Sequence, residues 1–149
     1  MQKITAKQID KRGQWRMERA LLADLIKWKE KPNRKPLILK GVRQCGKTYL
    51  LKAFGERQYD SFAYFNFEET EALKNVFEKD YDTNRILFEL GLFAGKTIEA
   101  GRTLVILDEI QECGRAITAM KYFCENAPEY HVVCAGSLLG IALQKQLSF

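Results

Sequence analysis

The octapeptide Gly41-Val42-Arg43-Gln44-Cys45-Gly46-Lys47-Thr48 constrains this 149-residue chain more than any other feature. Its spacing is G-x-x-x-x-G-K-[ST]. The two glycines let the backbone curl so that successive N–H groups face one concavity. A helix opening at the second glycine adds unsatisfied N-terminal donors and the positive end of its dipole. Such a cradle suits phosphate oxygens. Lys47 is then expected to reach the β- and γ-phosphates of a nucleotide, and the Thr48 hydroxyl to ligate Mg2+. Gly41 through Thr48, with Tyr49 as the next residue, form the candidate nucleotide-binding set. Arg43 lies in the variable part of the loop and reads as a solvent-facing charge rather than a phosphate contact. Cys45 sits where backbone amides and Lys47 would lower a thiol pKa, although a small filler explains it more simply.

The loop has the flanks it needs. Leu37-Ile38-Leu39 is a short buried strand leading into Gly41, and Lys47 to about Phe54 returns to a helical pattern that ends near Gly55. Upstream, Gln14 to Glu30 reads as an amphipathic helix with Met17, Leu21, Leu25 and Trp28 at helical spacing. Residues 1–36 are accordingly an N-terminal helix and basic lead-in. Downstream, Phe62–Phe67, Thr103–Leu107 and His131–Ala135 are strand candidates. The run at Thr103–Leu107 is apolar throughout, as a strand covered on both faces requires. Helices are expected over Glu71–Glu78, Asn84–Phe93, Ala116–Asn126 and Leu138–Gln146. Alternating strands and helices predict a single α/β domain, three layers around a mostly parallel sheet, with ligands at one edge of it.

A second element supplies carboxylates. Leu104-Val105-Ile106-Leu107 carries Asp108 and Glu109 out at the ligand-binding end of its strand. Asp108 is expected to hold the magnesium site, commonly through its waters. Glu109, one residue on, can polarise a water for attack on a γ-phosphate. Asn66 is an amide at the end of an aromatic strand: it either faces solvent or hydrogen-bonds Glu109 and orients it. Ser137, after the fourth strand, reads as a γ-phosphate or water contact, or as the N-cap of the next helix. No N-K-x-D guanine-reading motif is present, which favours ATP over GTP.

Charge and cysteine usage narrow the classes. Residues 1–60 hold 16 Lys and Arg against 6 Asp and Glu, whereas residues 61–149 hold 8 against 13. The basic first part invites a nucleic-acid partner, although several of these charges flank a helix or belong to the phosphate loop. Cys45, Cys113, Cys124 and Cys134 include no close pair for zinc or redox chemistry, and His131 is a single histidine in an apolar run. No apolar run approaches the roughly 20 residues that span a bilayer. The start carries no secretory pattern, so a cytoplasmic location is expected.

Four segments occur in order: Gly-Val-Arg-Gln-Cys-Gly-Lys-Thr-Tyr-Leu-Leu, Tyr-Phe-Asn-Phe-Glu, Val-Ile-Leu-Asp-Glu-Ile-Gln-Glu and Cys-Ala-Gly-Ser-Leu-Leu-Gly-Ile-Ala-Leu. Together they closely resemble prokaryotic AAA-type ATPases of the AAA_14 group, usually followed by a DUF4143 domain. The resemblance runs from about Trp15 to the end of the chain. It implies a P-loop fold with an additional strand, core order 5-1-4-3-2, with Lys47, Thr48, Asp108 and Glu109 in the roles above. It also implies that Asn66 toggles the catalytic glutamate and that Ser137 occupies the sensor-1 region.

With four strands in view, the fifth core strand is expected to be missing and one sheet edge to stand open, so the chain reads as a truncated core. Arg115 reads as a surface residue rather than an arginine supplied in trans. Three readings follow. The first is an ATPase, weak in this form, whose turnover moves a protein partner or an absent C-terminal domain. The second is a nucleotide-dependent switch on protein or DNA with little turnover. The third is a small-molecule phosphotransferase. Oligomeric state is left open.

Overall fold

A computed structural model describes residues 2–6, 11–41 and 46–136, with side chains over 18–39 and 46–136. Five strands form one parallel sheet: β1 (Gln2–Ala6), β2 (Leu37–Gly41), β3 (Ser61–Asn66), β4 (Thr103–Asp108) and β5 (His131–Gly136), in spatial order β1-β2-β5-β4-β3. The helices are α1 (Lys11–Glu30), α2 (Lys47–Gln58), α3 (Ala72–Asn75), α4 (Thr83–Ala94) and α5 (Gly114–Asn126).

Period-2 alternation along the strands sorts the sheet into two apolar faces. Ile38, Ala63, Phe65, Val105, Leu107, Val132 and Cys134 pack with α4 and α5 through Ile86, Leu90, Met120 and Phe123. Leu37, Leu39, Leu104, Ile106, Val133 and Ala135 pack with α1 and α2 through Leu25, Trp28, Leu51 and Phe54. Every residue of β4 and β5 is buried, as strands covered on both faces must be. The chain is therefore a three-layer α/β structure of the P-loop NTPase kind.

The four strands expected from the sequence take the expected relative order. The expectation of a vacant fifth place is corrected. β1 fills it, pairing in parallel with β2 from Gln2↔Leu37 to Ala6↔Gly41. A polar decapeptide gives no strand signal of its own; the unpaired backbone groups on the free side of β2 supply the ladder. The edge beside β2 is thus paired.

Three local differences have simple causes. Gly55 lies inside α2 instead of ending it, because α2 crosses β3 closely: a Cβ there would stand 2.7 Å from Phe62 Cβ. The segment Glu71–Glu78 is α-helical only over Ala72–Asn75. Its buried Leu73, Val76 and Phe77 are drawn into the core through three-residue turns. α4 runs where expected, capped by Asp82, which accepts from the N–H groups of Asn84 and Arg85, and closed by Gly95 at φ 68°. The expected helix over Leu138–Gln146 lies outside the described residues.

Candidate functional site

The ends of β2, β3 and β4 converge where the sheet meets the start of α2. β2 runs to Gly41, and α2 opens at Gly46, whose φ of 78° and ψ of 14° are left-handed. Glycine adopts this at no steric cost. Having no side chain, Gly46 gives the first-turn N–H groups no side-chain cap, and a helix start of this kind suits an anion. Lys47 and Thr48 are the first residues of α2, with Lys47 only 2% exposed.

β4 delivers Asp108, 2% exposed, to the same place. The Thr48 hydroxyl donates to Asp108 Oδ2 at 2.8 Å. A threonine hydroxyl and a carboxylate are hard oxygen donors of the kind Mg2+ takes, so the residues present fit the ion, which Thr48 would ligate and Asp108 would hold through its waters.

After Asp108 the chain turns sharply. Glu109 has φ 52° and ψ 44°, and among the described residues it is the single non-glycine with positive φ. Strain of this kind costs roughly 1–3 kcal/mol and gathers at functional sites. The turn is held by the Glu109 N–H donating to Asp108 Oδ1 at 2.9 Å and by Ile110, 1% exposed in the core. A 3-10 turn over Ile110–Glu112 follows.

A family model described as an AAA domain, AAA_14, matches residues 33–148. The chain belongs to this family. The AAA domain is a nucleotide-binding fold, and the match covers every strand end just described. No curated protein and no solved structure matches the chain.

Within the AAA domain the expected residues fall into three groups. Lys47, Thr48, Asp108 and Glu109 come together at the junction of α2 and β4. Asn66 is in register with Asp108, but its side chain turns elsewhere: Oδ1 accepts from the Glu68 N–H at 2.8 Å, and Nδ2 donates to Tyr64 Oη at 3.4 Å. The carboxamide on Glu109 is that of Gln111, whose Nε2 donates to Glu109 Oε2 at 2.6 Å. Tyr49 is 71% exposed on α2. Val42, Arg43, Gln44, Cys45 and Ser137 lie outside the described residues. Gly136, which precedes Ser137, is in register with Lys40 at the end of β2.

Two residues that sequence reasoning passed over belong to this cluster. Tyr64 Oη donates to Asp108 Oδ2 at 2.6 Å, so this carboxylate oxygen accepts from Thr48 and Tyr64 together. Burial, and then the bond to Asp108, pushes the Tyr64 phenol above its ordinary range. Lys52 lies over its ring at 4.0 Å. Gln111 is the other. Period-2 alternation places Tyr64 on the face of Asn66, which was the available signal. Gln111 had none, because its reach depends on the left-handed turn at Glu109.

Arg115 is tied into the fold: Nε donates to the Phe77 carbonyl at 2.7 Å and the guanidinium covers the Tyr81 ring at 4.6 Å. In the basic lead-in, Lys29 donates to the Gln58 carbonyl and Arg34 to the carbonyls of Lys29 and Pro128. These charges hold elements together. A groove of about 490 Å³ beside α4, lined by Phe88, Leu92, Lys96 and Tyr130, includes none of the motif residues. No helix among the described residues is long and apolar enough to cross a membrane.

Proposed function

We propose that this AAA domain binds ATP with Mg2+ and hydrolyses it, the turnover driving a conformational change in a partner or an attached segment. The observation that carries the reading is the Thr48–Asp108 contact at 2.8 Å beside the buried Lys47 and Glu109. In it, the first turn of α2 and Lys47 hold the phosphates, and Thr48 and Asp108 hold the metal. Mg2+ supplies charge neutralisation on the phosphate oxygens when bound. Glu109 takes a proton from the attacking water, and its burial keeps the carboxylate in a medium where charge interactions act strongly.

Lys29 and Arg34, two of the basic residues that motivate a nucleic-acid switch, are engaged with backbone carbonyls, and the hydrolase reading is preferred. The test is phosphate release with the unaltered chain and with Glu109→Gln, each at saturating ATP and Mg2+. Release by the unaltered chain, reduced on the order of 100-fold or more in the variant, is expected for loss of a general base. Equal rates would remove Glu109 from the role.

A further inference from the structure

Beyond the assignment of Glu109 as the base, and resting on it, the geometry points to Gln111 as the residue that positions that base. Its Nε2 donates to Glu109 Oε2 at 2.6 Å, whereas the neighbouring-strand amide of Asn66 is engaged with Tyr64 and Glu68. The contact is made within one turn, so it does not depend on the docking of a separate strand. The left-handed backbone at Glu109 and the 3-10 turn after it bring residues 109 and 111 together. Both flanks of the turn are anchored: Ile110 and Cys113 are 1% and 6% exposed, and the Cys113 N–H donates to the Ile110 carbonyl at 3.0 Å. Gln111 Oε1 is shielded from solvent without a hydrogen-bond partner among the described residues. Its amide is therefore committed to one side, the donor side, facing the glutamate.

A carboxylate that acts as a base must present one oxygen to the water while its rotation is restricted. By holding Oε2, Gln111 restricts the rotation of the carboxylate that takes the proton. In the step, a water O–H bond breaks and its proton passes to the Glu109 carboxylate as the water oxygen bonds to the γ-phosphorus. The bond from that phosphorus to the bridging oxygen breaks, and its electron pair stays on ADP. Gln111 exchanges no proton; it is a positioning residue.

The experiment is a double-mutant cycle on ATP hydrolysis with the unaltered chain, Gln111→Ala, Glu109→Gln and the double variant, alongside binding of a non-hydrolysable ATP analogue. Gln111→Ala is expected to lower kcat about tenfold with KM and analogue affinity unchanged, in line with the usual cost of a supporting contact. The double variant is expected to hydrolyse no more slowly than Glu109→Gln. Independently of activity, the Gln111 side-chain amide resonance should move to the free carboxamide position in Glu109→Ala. Hydrolysis by Gln111→Ala at the unaltered rate, or a further tenfold loss in the double variant, overturns the positioning role alone. No hydrolysis by the unaltered chain overturns that role together with the ATPase reading.

Discussion

The Thr48 hydroxyl donates to Asp108 Oδ2 at 2.8 Å, a contact that joins the first turn of α2 to the end of β4. It links the two motifs into one oxygen pair suited to a hard cation. Thr48→Val and Asp108→Asn are each expected to weaken Mg2+-dependent ATP binding by roughly 10- to 100-fold, the range for losing a contact that supports a metal. Calorimetric titration with ATP in Mg2+ and in EDTA checks this. The variants and the unaltered chain should converge when the metal is removed.

Tyr64→Phe deletes the second donor to Asp108 Oδ2. A hydrogen bond to a charged acceptor contributes about 1.5–3 kcal/mol, and partial exposure of Tyr64 places the expected loss near the lower end. Thermal unfolding of the two proteins without nucleotide should show the variant melting several degrees lower. Superimposable melting curves would mean that the contact contributes nothing.

The parts legible in the sequence are those with local causes. The flanks of the octapeptide and the apolar run ending in Asp108-Glu109 carry local signals, so four of the five strands, α2 and the meeting of Lys47, Thr48, Asp108 and Glu109 followed from spacing. β1 was illegible because its strand state comes from the free side of β2 and not from its own polar residues. Gly55 looked like a helix end for lack of any sign that Phe62 would pack against it. Gln111 and Tyr64 were missed because their roles depend on distances: one across the turn at Glu109, the other between neighbouring strands.

His131 predicts an acid-labile fold. It is buried at the start of β5, and its Nδ1 shares a hydrogen bond of 2.6 Å with the Tyr59 hydroxyl. Burial, with Arg34 and Lys29 nearby, lowers its pKa to about 4 from 6.5. The folded pKa lies below the unfolded one, so the unfolded chain binds the proton more tightly. The contribution is complete above about pH 6.5 and is lost as pH falls toward 4. Its size is up to about 3 kcal/mol. Denaturant midpoints measured from pH 7 to 4.5 should fall, and less steeply in His131→Gln than in the unaltered chain.

Gly55→Ala tests the close crossing of α2 over β3. Alanine would gain about 1 kcal/mol of helix propensity. Its Cβ, however, would stand 2.7 Å from Phe62 Cβ, an atom held by the β3 backbone. Overpacking of this kind costs about 1–3 kcal/mol, so net destabilisation is expected in thermal unfolding. A stabilised variant would show that the two elements separate easily.

The central claim is one ATP site built by the phosphate loop and the end of β4. Equilibrium binding of ATP in Mg2+ to the unaltered chain and to Lys47→Ala tests it most directly. Saturable binding by the unaltered chain, weakened at least about tenfold in the variant by loss of a charged phosphate contact, is the predicted result. Equal affinity in the two proteins, or no binding by the unaltered chain, contradicts it.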